Sequence, residues 1–164
     1  MKLRELVESV ASRAGFEVRS ANVEPPPGLD WVVDVVAGAP GMQVVVRVAG
    51  SDRQEKLVLV MPIGFSETHR SLIMGLEAEK RVRLVTRIIR EVLRVCPYCR
   101  VGVGGTPVEP QGVVAEIHYV ARPDPQRLLD DITRLLSVFL AVNAVLWEEF
   151  PSAMQPGSQP PLYT

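Results

Sequence analysis

Leu3, Leu6, Val7, Val10 and Ala14 recur at helical spacing, with Arg4, Glu5, Glu8 and Arg13 between them, so the chain is predicted to open with an amphipathic helix stopping near Gly15. ANVEPPPGLD follows, and its prolines permit neither helix nor ladder, which predicts a rigid loop. WVVDVVA, MQVVVRVA and KLVLVMPI are rich in β-branched residues and predict three strands. The segments between them, GAPG and GSDRQE, suit turns and are too short for crossovers, so the strands form an antiparallel meander. Ser66 is placed to cap a long helical stretch that runs to about Val95, with Gly75 as an early interruption. Val82, Val85, Ile88, Ile89, Val92 and Leu93 lie on one side of it. Two more strands, near Arg100 to Val103 and Gly112 to Ala121, surround a turn built on GGTPVEPQG. A last helix begins at Pro123-Asp124-Pro125, where Asp124 caps and Pro125 suits the first helical position, and ends near Phe150.

The predicted fold class is α+β: an antiparallel sheet of about five strands in the order α-β-β-β-α-β-β-α, with the helices packed on one face. Residues 1–150 form one such domain, and 151–164, PSAMQPGSQPPLYT, read as a flexible Pro/Gly/Ser-rich tail. A length of 164 residues suffices for one domain with a real core. A net charge of -1, with 23% charged and 47% hydrophobic residues, excludes both a molecule-wide positive field and a disordered chain. The run LLSVFLAVNAVLW, Leu135 to Trp147, falls short of the ~20 residues that span a bilayer and predicts a buried helix. MKLRELVESVASRAGFEV lacks the uninterrupted apolar core of a signal peptide, which predicts a cytoplasmic protein. Abundant valine, arginine in excess of lysine and scarce Asn and Cys lean towards a thermophile, a bias that a GC-rich genome would also give.

The chemistry-bearing candidates are few. Cys96-Pro97-Tyr98-Cys99 holds both cysteines and resembles the glutaredoxin active-site motif, which implies a thiol-disulfide oxidoreductase. In that family the motif opens a helix, whose dipole lowers the thiol pKa, whereas here a helix ends at the motif. The alternatives are a structural turn, with the thiols buried or joined in a local disulfide, and a zinc shared between two copies of Cys96 and Cys99. His69 and His118 are the only other soft ligands and have no finger spacing, so no metal and no cofactor is expected.

Lys80, Arg83, Arg87, Arg90 and Arg94 form one basic stripe on the middle helix. It could attract an acidic protein or the phosphates of a nucleic acid, or it is a solvated face, with Glu79 paired to Arg83, Glu77 to Arg81, and Glu91 to Arg87 or Arg94. Aromatic residues do not interleave with the arginines, which disfavours nucleic acid. GVGGTP lacks the ending of a phosphate loop and leads into a strand, so it is a turn. No Ser/His/Asp arrangement and no paired carboxylates stand out for catalysis.

Asp34, Arg47, Glu116 and His118 interrupt apolar strands at alternate positions, while Val33, Val35, Val44, Val46, Ala115, Ile117 and Tyr119 point the other way. One sheet face is then core. The other is an ordinary solvent face or a recognition surface, with those four as ionic anchors and Val32, Val36, Val45 and Val114 as apolar contacts.

The element order resembles the type III secretion chaperone-like fold over residues 1 to about 150. The resemblance implies a small homodimer without cofactors that holds extended segments of a partner protein; no functional residue carries over, because no motif aligns. The last helix agrees with self-association: apolar almost all round, it needs cover on a second face from the middle helix or a second copy. The expected function is therefore a non-catalytic, homodimeric, chaperone-like protein-interaction module, with thiol-disulfide exchange and nucleic-acid binding as the alternatives.

Overall fold

The computed structural model describes residues 1–41 and 43–154. Helix α1, Leu3–Arg13, buries Leu3, Leu6, Val7 and Val10 of the predicted stripe together with Ala11, whereas Ala14, also expected in the stripe, is the exposed C-cap residue. Its free N-terminal amides are satisfied from a distant part of the chain: Asp52 Oδ1 accepts from the Leu3 and Arg4 N–H groups at 2.6 and 3.3 Å. The helix ends before Gly15, whose φ of +79° suits glycine.

Six strands follow rather than about five: β1 Glu17–Ser20, β2 Trp31–Ala37, β3 Val44–Ser51, β4 Lys56–Gly64, β5 Arg100–Gly105 and β6 Pro110–Tyr119. They form one sheet in the order β1-β2-β3-β4-β6-β5. The additional strand, β1, is four largely exposed residues, EVRS, too short to show an alternation, and it owes its conformation to antiparallel pairing with β2.

The expected long helix from Ser66 to Val95 is two helices, α2 Glu67–Met74 and α3 Ala78–Val95. Ser66 Oγ caps α2 by accepting from the His69 N–H at 3.1 Å. At the break Leu76 turns back to the Ile73 carbonyl, and the Arg81 side chain holds the Leu76 carbonyl at 2.9 Å. That bond and a second, from Arg81 Nη1 to the Val108 carbonyl at 2.8 Å, hold the guanidinium expected to pair with Glu77. Helix α4, Pro125–Glu149, is capped by Asp124, which accepts from the Gln126 and Arg127 amides. Pro151–Met154 then form a 3-10 turn where an irregular tail is expected; Phe150 is buried, and its carbonyl accepts from the Ala153 N–H. The rest of the expected tail, from residue 155, lies outside the described residues.

The chain divides into two compact units. The first comprises Met1–Met61 and Glu116–Leu136. In it β1 to β4 form a meander in the register Val33↔Val48↔Leu59 and Asp34↔Arg47↔Val60. Trp31, Val33, Val35, Val46, Val48, Leu57 and Leu59 are buried on one face, and α1 packs against β1 and β3. The second unit comprises Pro62–Ala115 and residues from Ser137 onward. Its buried residues include Ile63, Phe65, Ile73, Leu84, Val85, Ile88, Val92, Val113, Val142 and Leu146, and α3 packs against β5. Gly112 has no freedom to carry a side chain here, since an added Cβ would run into the Ile63 carbonyl and lie 3.0 Å from Gly64 Cα. Among the described residues no helix is long and apolar enough to cross a membrane.

Candidate functional site

Strand alternation in the first unit turns Val32 and Asp34 of β2, Val45 and Arg47 of β3, and Val58 and Val60 of β4 to the face opposite the core. All six are half-buried. Asp34 and Arg47 stand in register and form a two-point ion pair, Nε to Oδ1 at 2.9 Å and Nη2 to Oδ2 at 3.4 Å. Opposite Asp34 on β1 lies Arg19, held by Glu17 at 2.7 and 2.9 Å and within 3.4 Å of Gln43 Oε1. The hydrogen bond from Arg19 holds the Glu17 carboxyl below its ordinary range. On β6, Glu116 and His118 pair with each other at 2.7 Å.

The four expected anchors therefore pair among themselves, Asp34 with Arg47 as an ion pair across β2 and β3 and Glu116 with His118 by a hydrogen bond along β6. An incoming ligand meets polar groups already paired and set among valines. Val36 stands on that same face, in register with Val45, but is buried there, 4% exposed. Val114 is half-buried in the second unit, where it lines a shallow apolar hollow with Pro62, Gly64, Val103, Gly104 and Gly112. Glu17 and Arg19 join the face only because β1 exists, and nothing in so short a segment announced the strand; Gln43, just before β3, shares the parity of Val45 and Arg47.

The basic stripe of α3 is largely engaged. Arg87 holds Glu148 at 2.7 Å and Glu149 at 3.4 Å at the end of α4, Arg83 pairs with Glu79 and Arg94 with Glu91. Lys80 and Arg90 form no ion pair among the described residues. Helix α3 also buries a narrower arc than its apolar positions suggest. Leu84, Val85, Ile88 and Val92 are buried, but Val82 and Leu93 are 38% and 40% exposed and Ile89 is half-buried. At about 100° per residue the six expected core positions spread too widely for one buried face.

Cys96 and Cys99 are joined in a disulfide with both residues buried. Cys96 ends α3, its N–H bonded to the Val92 carbonyl at 2.8 Å, and the Cys99 N–H turns back to the Cys96 carbonyl at 3.2 Å. The pair thus sits at the carbonyl end of a helix, where the dipole opposes a thiolate. Buried His69 lies 6.1 Å between ring centroids from Phe150, and burial lowers its pKa from 6.5. Among the described residues no group of three or more His, Cys, Asp or Glu is placed to hold a metal ion.

One polar cluster has no counterpart in the expected sites. The Asp131 carboxylate, fully buried on α4, accepts from the Tyr119 hydroxyl at the end of β6 and from Arg127 Nε at 2.9 Å, one helical turn earlier. Desolvation first, then the bond to Asp131, raises the Tyr119 pKa above its ordinary 10. With an un-ionised phenol and an ion-paired carboxylate, the cluster serves to fasten α4 to β6. Its spacing signal was Arg127 and Asp131 at i,i+4.

No curated protein of assigned function matches the chain. Its fold is similar to the crystal structure of an uncharacterized protein from Methanothermobacter thermautotrophicus, with a TM-score of 0.74 over 90% of this chain and 99% of that one at 15% identity. A family model matches residues 3–146, and the chain belongs to that family, described as uncharacterized conserved protein (DUF2299).

Proposed function

We propose that the chain is a non-catalytic protein-interaction module that holds an extended partner segment on the open face of β2, β3 and β4. The observation that carries this reading is the composition of that face. The solvent side of an antiparallel sheet is ordinarily polar, yet here Val32, Val45, Val58 and Val60 surround one neutralised pair, Asp34–Arg47. An extended segment laid on such a face buries apolar side chains at alternate positions, while the fixed pair offers oriented hydrogen-bonding groups. The resemblance in element order to the type III secretion chaperone-like fold points the same way and carries with it the proposal that two copies pair. The buried disulfide gives no support to a nucleophilic Cys96. The ion-paired arginines give little to nucleic-acid binding.

The test is native pull-down with mass spectrometry beside a light-scattering mass of the purified protein. Capture of a defined polypeptide that weakens when Arg47 and Glu116 are changed to alanine is the expected result. Capture indifferent to both changes removes the sheet face from the reading, and bound RNA in place of protein overturns it.

A further inference from the structure

We infer that the outward stripe of α3 docks an acidic amphipathic helix of a partner protein. Val82, Thr86, Ile89 and Leu93 repeat at intervals of four, three and four, the spacing of a helix-packing seam, and helical geometry sets this seam about 115° around α3 from its buried stripe. Ile89 and Leu93, with Thr86, Arg90 and Arg94, line a shallow open hollow on the surface of α3. From Val82 to Leu93 the seam runs three turns, roughly 16 Å, enough to meet three or four apolar residues of a second helix.

Charge decides the occupant. Arg83, Arg90 and Arg94 follow one edge of the seam; Arg90 has no ion-pair partner among the described residues, and the other two hold exposed pairs that an incoming carboxylate can replace at little cost. A second copy is a poor fit. Antiparallel pairing that brings Val82 against Leu93 of the copy also brings Arg83 against its Arg90, like charges facing across the seam. Residues 155–164 of the chain itself contain no Asp or Glu and supply no matching side-chain charge. A helix with apolar residues at i, i+3 or i+4, and i+7 and with Glu or Asp along one edge satisfies both the seam and its basic border.

This inference shares with the proposed function the premise that the chain binds proteins, but it uses different residues. The experiment is fluorescence anisotropy of the full chain with a labelled model helix of about 18 residues, its leucine seam edged by glutamate, beside the same peptide edged by lysine. The acidic peptide should bind at least about tenfold more tightly than the basic one. Arg90→Glu should reverse that preference, and Leu93→Ser should weaken the acidic peptide about tenfold. Equal affinity for both peptides, or a preference that Arg90→Glu leaves unchanged, overturns the inference. A wild-type dimer that Leu93→Ser turns into a monomer assigns the seam to a second copy and also overturns it. The variant with alanine at Arg47 and Glu116 separates the two readings: it should keep peptide binding whether or not it loses capture at the sheet.

Discussion

Trp31 on β2 lies across from Gly50 on β3, with its indole over the glycine so closely that an added methyl would overlap the ring, 2.8 Å from Cη2 and 3.0 Å from Cε2. The indole is 8% exposed, so it cannot swing into solvent without uncovering a large apolar surface. Gly50→Ala should therefore destabilise the protein by about 1–3 kcal/mol, the usual cost of overpacking. Denaturant unfolding followed by tryptophan fluorescence measures it. An unchanged midpoint would mean that the ring moves freely.

Asp34 and Arg47 stand in register on the open face, with side chains 18% and 35% exposed. Partial burial and two-point geometry place the pair above an ordinary surface salt bridge, so a double-mutant cycle with alanine should return a coupling of roughly 1 kcal/mol. Coupling near zero would show that solvent screens the pair despite its geometry.

Tertiary structure accounts for most of what the sequence hid. The meander was legible because valine-rich runs alternate with turns too short to cross over, and α1 was legible because Leu3, Leu6, Val7 and Val10 repeat cleanly. β1 was not, since Glu17–Ser20 has no apolar alternation of its own and is a strand only beside β2. The division of α2 from α3 rests on one glycine followed by a bond from Arg81 to the Leu76 carbonyl, a long side chain reaching back five residues. Asp34 and Arg47 share a face by parity, but parity says nothing about who pairs with whom. Register joins Asp34 to Arg47, and intervals of two join Glu116 to His118. Asp131 was invisible as a core residue because an acid on a helix reads as solvent-facing until Tyr119, twelve residues earlier, arrives beside it.

The Cys96–Cys99 bridge closes a loop with a sequence separation of 3, so the chain-entropy gain is small. Replacing both cysteines by serine should lower stability by no more than about 2 kcal/mol. The native protein should resist thiol labelling, folded or unfolded, until it is reduced, because both sulfurs are joined in the bridge. Mass spectrometry after alkylation of unfolded protein, with and without reduction, tests this; labelling of unreduced protein would contradict the disulfide.

Two groups, buried His69 and half-buried Tyr119, bound the pH range of full stability. His69 has its pKa lowered from 6.5 by burial, so the unfolded chain takes up the proton more readily: its contribution is complete above about pH 6.5 and is lost as the pH falls through the lowered folded value. Tyr119 has its pKa raised from 10, first by desolvation and then by its bond to Asp131, so its contribution is complete below about pH 10 and is lost as the pH rises towards the raised value. Chemical denaturation across pH should give a plateau between these limits. His69→Leu should flatten the acid side and Tyr119→Phe the alkaline side, the latter also costing about 1–3 kcal/mol because Asp131 loses a donor in a buried place. An alkaline decline that persists unchanged in Tyr119→Phe would assign that limb to other groups.

Within the basic stripe of α3, position and not charge should decide the energetic weight of each residue. Arg87 is 35% exposed and bridges two consecutive carboxylates, Glu148 and Glu149, at the point where α4 ends. Removing it takes away both ion pairs and leaves two like charges side by side, with Lys80 and Arg83 lining the same hollow as Glu149 but in no ion pair with it. Lys80 and Arg90, on the same helix, have no ion-pair partner among the described residues to leave behind. Arg87→Ala should therefore destabilise by about 1 kcal/mol, whereas Lys80→Ala and Arg90→Ala should stay within roughly 0.5 kcal/mol of the parent. High salt should shrink the Arg87 effect, since the pair is only partly shielded from solvent. If all three substitutions cost the same in thermal or denaturant unfolding, the bridge from Arg87 to the end of α4 contributes nothing beyond general surface charge.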